Sequence, residues 1–214
     1  MPSHDEPKQA AHLALDRLLT GNRRFYSGEE PLHAAERAGR RATVANGQNP
    51  IAIVLGCSDS RVPPELVFDQ GLGDLFVIRV AGNIVAPSQI ASIEFAAESF
   101  GTCLTVVLGH TSCGAVRAAI EELRRPSSER SPNLGSIVDR IRPSIEGLLQ
   151  SEASRDPATL LNEAARANIR ASVDQLQRSS NILQSLVERG ELLIVGADYS
   201  LETGVVHVLD ESER

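Results

Sequence analysis

The stretch IAIVL, Ile51 to Leu55, is an unbroken apolar run, short enough for a single strand and apolar on both of its faces. Three later runs share this character: Leu75 to Val80, Cys103 to Leu108 and Leu192 to Val195. Helical patterns, notably Gln89 to Phe100 and Ala115 to Leu123, stand between most of them. Strands that alternate with helices are typical of parallel sheets, so the sequence predicts an α/β fold with a mostly parallel central sheet of four strands flanked by helices.

The two ends of the chain extend this predicted core. Lys8 to Tyr26 places leucines at helical spacing and stops near Ser27-Gly28, which predicts an amphipathic N-terminal helix, an arm over residues 8–27. Val205 to Leu209 predicts a fifth strand, at an antiparallel edge of the sheet after the turn at Glu202 to Gly204.

The rest of the chain fits one domain. Ala158 to Arg189 has a helical pattern with a break near Ser179-Ser180, whereas the Pro- and Ser-rich Arg124 to Asn133 indicates an exposed loop. A chain of 214 residues is long enough for one α/β core and short for two. We therefore expect a single domain over residues 1–214.

The composition argues against several classes of partner. The net charge of −7 and the scattered basic residues disfavour nucleic acid. No apolar run reaches the roughly 18 residues that cross a bilayer, and Met1 to Lys8 is polar, so we expect no membrane association and a cytoplasmic location. The three cysteines are then expected to be free thiols, because the cytoplasm is reducing.

Three residues with metal-binding side chains follow predicted strands. Cys57 lies just beyond the first strand, and His110 and Cys113 lie just beyond the third. Ligands bind at the carboxyl ends of the strands in open parallel sheets, so the two groups are expected to meet. Two sulfurs and one nitrogen suit zinc and leave its fourth tetrahedral position open, as in catalytic sites. The alternative is a pair of ordinary buried thiols with a capping histidine.

The segment Cys57-Ser58-Asp59-Ser60-Arg61 favours a catalytic site. An acid and a guanidinium follow the thiol at alternate positions, and arginine is a rigid fork that holds a carboxylate through two hydrogen bonds. Asp59 and Arg61 are therefore predicted to form a dyad. The alternative, a plain surface ion pair, leaves the cysteine unexplained.

Together, Cys57-x-Asp59-Ser60-Arg61 and His110-x-x-Cys113-Gly114 resemble the signature of β-class carbonic anhydrases, in particular the bacterial members. The resemblance covers nearly the whole chain through four further segments: Gly21 to Phe25, Gly47 to Pro50, Gly73 to Arg79 and Ile93 to Phe95. It implies reversible hydration of CO2 to bicarbonate and a proton by a zinc-bound hydroxide. It also implies a homodimer or a tetramer built from dimers.

The same resemblance implies a role for each site residue. Cys57, His110 and Cys113 would bind zinc, Asp59 and Arg61 would be the catalytic dyad, and Asp59 is a possible fourth zinc ligand in a closed state. The positions that match the family's substrate pocket are Gln48, Phe76, Ala81, Phe95 and Gly114. Family members often have Tyr at the position of Phe95, so this chain lacks one hydrogen-bond donor there.

A second departure from the family concerns control by bicarbonate. Some bacterial members have a bicarbonate-binding trio of Trp, Arg and Tyr, and the matching positions here are Val54, Arg79 and Tyr199. The Trp is absent. The sequence therefore predicts little inhibition by bicarbonate beyond product competition.

Two other functions stay open at this stage. The resemblance extends to hydrolases of COS and CS2, in which the same kind of hydroxide attacks a linear analogue of CO2. A noncatalytic, zinc-bearing regulatory protein would also keep the ligands, although Asp59, Arg61 and Gln48 argue against it.

The remaining cysteine and histidines have no predicted catalytic role. A thiol redox site is disfavoured because no Cys-x-x-Cys pair is present, and Cys103 is predicted to be a core residue of an apolar strand. No histidine stands out as a proton shuttle, because four of them lie outside the motifs: His4, His12, His33 and His207.

Overall fold

A five-stranded sheet with the strand order β2-β1-β3-β4-β5 forms the centre of the computed structural model, which describes residues 5–32, 37–126, 131–150 and 156–209. The strands are β1 (Ala52–Gly56), β2 (Leu75–Arg79), β3 (Leu104–His110), β4 (Leu193–Tyr199) and β5 (Val206–Leu209). The first four pair in parallel, and β5 pairs antiparallel with β4 at one edge. The predicted fold class is confirmed, including the antiparallel edge strand.

Helices cover both faces of this sheet. They are α1 (Asp5–Ser27), α2 (Arg37–Val44), α3 (Pro64–Val67), α4 (Pro87–Phe100), α5 (Gly114–Arg124), α6 (Pro132–Leu149), α7 (Pro157–Ser179) and α8 (Asn181–Glu188), with a 3₁₀ turn at Ala81–Asn83. The predicted break near Ser179-Ser180 separates α7 from α8, where the Ser180 hydroxyl accepts the Leu183 N–H and caps α8. No helix in the described residues is long and apolar enough to span a membrane.

The apolar runs predict strands that are buried on both faces, but the structure does not confirm this for every strand. β1 and β3 are buried throughout, because each has a neighbouring strand on both sides. In β2 only Ile78 is buried, since β2 lies at the other edge of the sheet. Cys103 also differs from the prediction: it lies just before β3 and is only partly buried against the core.

The helix α6 was not predicted from the sequence. It begins after the cap residue Ser131 and contains Pro143, a residue that normally interrupts helices. Its buried residues Val138, Ile141 and Ile145 recur at helical spacing and are the signal that could have identified it. The predicted loop, Arg124 to Asn133, is shorter in the structure, because Arg124 ends α5 and Pro132 and Asn133 begin α6. Residues 127–130 lie outside the described part of the chain.

Asn22 anchors the N-terminal helix α1 to the rest of the fold. The buried Asn22 amide donates to the carbonyls of Val67 (3.0 Å) and Gly204 (2.9 Å), and its Oδ1 accepts the Val206 N–H at 2.9 Å. A Cβ atom on the neighbouring Gly21 would lie 1.9 Å from the Phe68 carbonyl oxygen, so this approach requires glycine. These contacts join α1 to α3 and β5.

The helix α7 packs equally closely on the other face of the sheet. A Cβ atom on Gly109 of β3 would lie 2.4 Å from Cγ1 of Ile169, and one on Gly196 of β4 would lie 2.8 Å from Cγ2 of the same side chain. Ile169 is fully buried. The two glycines therefore let α7 approach the carboxyl ends of β3 and β4, where the functional residues lie.

Candidate metal centre

The three predicted ligands meet at the carboxyl ends of two adjacent strands. Cys57 directly follows β1, His110 is the last residue of β3, and Cys113 is the cap residue of α5. β1 and β3 are parallel neighbours, with Gly56 paired to Leu108. Their ligand atoms lie within 4.8 Å of one another, and all three residues are buried. The topology thus assembles the cluster from two separate parts of the chain.

The imidazole of His110 is oriented for metal binding. Its Nδ1 lies 2.9 Å from the Thr111 carbonyl oxygen and donates to it, which leaves the lone pair on Nε2. Nε2 is buried and has no hydrogen-bond partner among the described residues. A buried nitrogen without a partner is costly, and a metal ion at this position satisfies it.

The two thiols interact directly, with 4.0 Å between Cys57 Sγ and Cys113 Sγ. The hydrogen bond from Cys113 lowers the pKa of Cys57 to about 4, with smaller contributions from His110 and from the Gly82 N–H, 3.3 Å from the sulfur. The same contact and burial raise the pKa of Cys113. The lowered pKa favours the thiolate form of Cys57, and metal binding is expected to release a proton from Cys113.

Burial and the neighbouring thiolate shift the pKa of His110 in opposite directions. Burial disfavours the imidazolium, but the nearby Cys57 thiolate, the Thr111 carbonyl and the charge of Asp59 together outweigh it and raise the pKa of His110. The negative charge that stabilises the imidazolium would also attract a divalent cation to this cluster. One imidazole and two sulfurs suit zinc and leave one tetrahedral position open, so the residues present fit a catalytic zinc ion.

Asp59 and Arg61 form the dyad that the sequence predicted. Arg61 Nε donates to Asp59 Oδ1 at 2.9 Å and Nη2 donates to Oδ2 at 2.7 Å, while the Arg61 backbone N–H donates to Oδ1 at 3.0 Å. The side-chain hydrogen bonds hold the pKa of Asp59 well below its usual range. Asp59 Oδ2 also lies 3.8 Å from His110 Nε2, so the ionised carboxylate borders the ligand cluster.

Arg79 holds the backbone of the segment that carries Cys57 and Asp59. Its Nε donates to the Cys57 carbonyl at 3.0 Å and its Nη2 to the Asp59 carbonyl at 2.6 Å. Sequence reasoning matched Arg79 to a bicarbonate-binding trio instead. Of the other two positions, Val54 is fully buried in β1 and Tyr199 is almost fully buried in β4. The weak bicarbonate inhibition stays a prediction.

The five predicted substrate-pocket residues fall into two groups. Ala81 begins the 3₁₀ turn whose Gly82 N–H binds Cys57, and Gly114 begins α5 directly after Cys113, so both border the cluster. The other three do not: they are Gln48, Phe76 and Phe95.

Gln48 is exposed and precedes β1, at the end of the sheet opposite the cluster. Phe76 is the second residue of β2, and its ring packs against Phe95 at 6.1 Å and Phe100 at 6.0 Å between centroids. Phe95 on α4 is 53% exposed. The structure therefore does not bring these three side chains to the Cys57-His110-Cys113 cluster of their own chain.

The other histidines lie away from the cluster where they are described. His12 is exposed on α1 and His207 is exposed on β5. His4 and His33 lie outside the described residues.

Comparisons with known proteins agree with this geometry. The family model for carbonic anhydrase matches residues 52–206. The chain is 40% identical over 191 residues to a carbonic anhydrase of Mycolicibacterium smegmatis, with 89% of each chain covered. It is 38% identical over 187 residues to carbonic anhydrase 2 of Mycobacterium tuberculosis, with 87% of each chain covered.

Solved structures show the same likeness. The structure of the β-carbonic anhydrase CcaA has a TM-score of 0.75 and 28% identity, and covers 92% of this chain and 87% of its own. A structure described with two tetrameric β-carbonic anhydrases from Sordaria macrospora has a TM-score of 0.72 and 26% identity, and covers 82% of this chain and 88% of its own. The parallel sheet, the Cys-His-Cys cluster at its carboxyl edge and these relatives together place the chain in the β-carbonic anhydrase family.

Proposed function

We propose that Cys57, His110 and Cys113 bind one zinc ion and that Asp59 and Arg61 assist the hydration of CO2 beside it. CO2 hydration is the function of the family, and the residue roles are our proposal. One observation supports them most strongly. The buried His110 Nε2 has no hydrogen-bond partner among the described residues, and it faces both the two sulfurs and an ionised carboxylate.

Bound zinc supplies Lewis-acid chemistry, which makes water a usable nucleophile near neutral pH. The three side chains hold the ion by different means. Cys57 and Cys113 contribute negative charge, and His110 contributes a neutral nitrogen whose direction is fixed by the hydrogen bond from Nδ1 to Thr111.

Asp59 accepts a hydrogen from the attacking water at Oδ2 and so directs a lone pair of the water oxygen toward CO2. Arg61 keeps the carboxylate ionised and prevents it from turning. Even while bound to Arg61, Asp59 Oδ2 lies 3.8 Å from the histidine nitrogen. A carboxylate released by Arg61 would therefore be close enough to act as a fourth zinc ligand. The dyad therefore separates an active arrangement from a closed one.

Gln48, Phe76 and Phe95 are proposed to complete the pocket of a second copy of the chain. They lie away from their own cluster, and Phe95 exposes half of an aromatic side chain, which favours burial against a partner. We propose a homodimer or a tetramer of dimers in the cytoplasm. The tetrameric relatives from Sordaria macrospora support such an assembly.

The test combines metal analysis with a CO2 hydration assay on the purified protein. We expect about one zinc per chain, in keeping with one three-ligand site in the described residues. Cys57→Ser is expected to lose both zinc and activity. Cys103→Ser is the matched control, because this partly buried cysteine lies at the amino end of β3, away from the cluster. Full zinc occupancy in Cys57→Ser would contradict the proposed coordination.

A further inference from the structure

The turn between His110 and Cys113 contains a strained backbone. Ser112 has φ of 54°, in the left-handed region that residues other than glycine rarely adopt. The residue is exposed, so burial of its side chain does not offset the strain. Strained residues of this kind persist only where neighbouring contacts hold them, and they are concentrated at functional sites.

Three hydrogen bonds hold this turn from outside the cluster. The Thr111 N–H donates to the Tyr199 carbonyl at 3.0 Å, and the Leu201 N–H donates to Thr111 Oγ1 at 3.0 Å. The Ser112 N–H donates to Oδ1 of Asn162 on α7 at 2.9 Å. The first two bonds fix the residue that follows His110. Of these three bonds, only the one that Asn162 accepts is made by the strained residue itself.

The conformation of Ser112 decides where Cys113 lies relative to His110. His110 ends a strand and Cys113 caps a helix, so the direction of the chain changes within the two residues between them. In the observed turn, Cys113 Sγ comes within 4.0 Å of Cys57 Sγ. An ordinary right-handed or extended φ at Ser112 would rotate Cys113 out of this position.

We propose that Asn162 is a positioning residue of the metal centre. By accepting the Ser112 N–H, it holds the turn in the left-handed conformation in which His110 and Cys113 face one ion. Asn162 is placed by α7, which packs tightly on Gly109 through Ile169. The inference rests on the proposed function in one respect, because it takes this cluster to be the zinc site.

The test measures zinc affinity in purified holoenzyme variants by competition with a chromogenic chelator. Partners beyond the ligands typically change metal affinity 10–100-fold, and we expect Asn162→Ala to bind zinc about tenfold more weakly, because water can replace part of this exposed contact. Asn162→Asp keeps the acceptor oxygen and is expected to stay close to wild type. Glycine adopts a positive φ without strain, so adding Ser112→Gly to Asn162→Ala is expected to restore most of the affinity.

Two results with these variants would overturn the inference. One is wild-type zinc affinity in Asn162→Ala. The other is a weakened Asn162→Ala that Ser112→Gly does not rescue, because the loss would then arise in α7 and not in the turn.

A second comparison applies if Asn162→Ala does not fold. Ser112→Val disfavours the left-handed region and Ser112→Gly permits it, so the valine variant is expected to bind zinc more weakly. Equal affinities of these two variants would also overturn the inference.

The same measurements distinguish a failure of the proposed function from a failure of this inference. A wild-type protein that binds no zinc would contradict both. Zinc bound by the wild type, lost in Cys57→Ser and held normally in Asn162→Ala would contradict the inference alone.

Discussion

The Oδ2 atom of Asp59 lies 3.8 Å from the buried Nε2 of His110, while the guanidinium of Arg61 holds the same carboxylate at 2.9 and 2.7 Å. The carboxylate therefore has two competing partners, the arginine and any cation at the ligand cluster. Water competes with Asp59 for that cation. We expect the balance between these contacts to decide how hydration activity responds to pH.

Hydration activity is expected to be low in mild acid and to rise from neutral to alkaline pH. Arg61 holds the pKa of Asp59 well below its usual range, so Asp59 stays ionised in mild acid and does not itself titrate there. The group expected to titrate is instead the water that a bound zinc ion would activate. Its pKa is about 7 in carbonic anhydrases with three histidine ligands, and two thiolates should raise it by adding negative charge.

Initial rates at constant ionic strength across this pH range test that expectation. Zinc content measured at each pH is the control, because acid also protonates the ligands. Full activity in mild acid with zinc retained would contradict the assignment of the fourth ligand position.

Asp59 and Arg61 are expected to act as one unit. Asp59→Ala and Arg61→Ala should each lower kcat on the order of 10²-fold, the lower end of what a positioned acid–base group contributes. The double variant should lose little more activity than the worse single variant, since each residue works through the other. Losses that add in free energy would show independent roles, as measured in a double-mutant cycle of kcat/KM.

Arg79 is expected to support catalysis through the backbone. Arg79→Ala removes the donors that hold the Cys57 and Asp59 carbonyls, so the dyad should lose its alignment with the ligand cluster. We expect a loss of activity of about tenfold, the scale typical of residues that orient metal ligands. Arg23→Ala, on the exposed face of α1, is the control for loss of charge. Equal activity of the two variants would exclude this role.

Asn22 is expected to contribute strongly to the stability of the fold. Asn22→Ala leaves the buried Val206 N–H and the Val67 carbonyl without their partners. A loss of about 2–4 kcal/mol in the free energy of unfolding is expected, since each buried group left unpaired costs about 1–3 kcal/mol. Urea unfolding of Asn22→Ala and of the exposed control Thr20→Ala measures the difference. A change below about 0.5 kcal/mol would be typical of a surface position instead.

Local patterns were sufficient to predict most of the fold. Apolar runs located all five strands, and helical spacing located α1, α4, α5, α7 and α8. The prediction failed where position in the sheet decides burial, as in β2, because the order of strands is not encoded in any one segment. It also missed α6, in which Pro143 conceals the apolar spacing.

The residues of the site also divide into those that the sequence predicts and those that it does not. Cys57, Asp59 and Arg61 are close in sequence, so the contact between the dyad residues could be predicted from spacing alone. Arg79 and Asn162 could not be found in that way, because each binds backbone atoms of a segment far from it in the chain. Side chains that bind a distant backbone leave no pattern in the sequence.

The hydrogen bonds of Thr111 with Tyr199 and Leu201 also bear on when the proposed metal centre can be completed during synthesis. All three proposed metal ligands have been translated once residue 113 is made, yet the partners of Thr111 are Tyr199 and Leu201. Chains are made from the N-terminus, so these partners leave the ribosome long after the residues of β1 and β3. We therefore expect a nascent chain to hold its cysteines and histidine before it holds the turn geometry that we propose for zinc binding. We therefore expect the proposed metal centre to be completed late in the maturation of this protein, after β4 and β5 have docked.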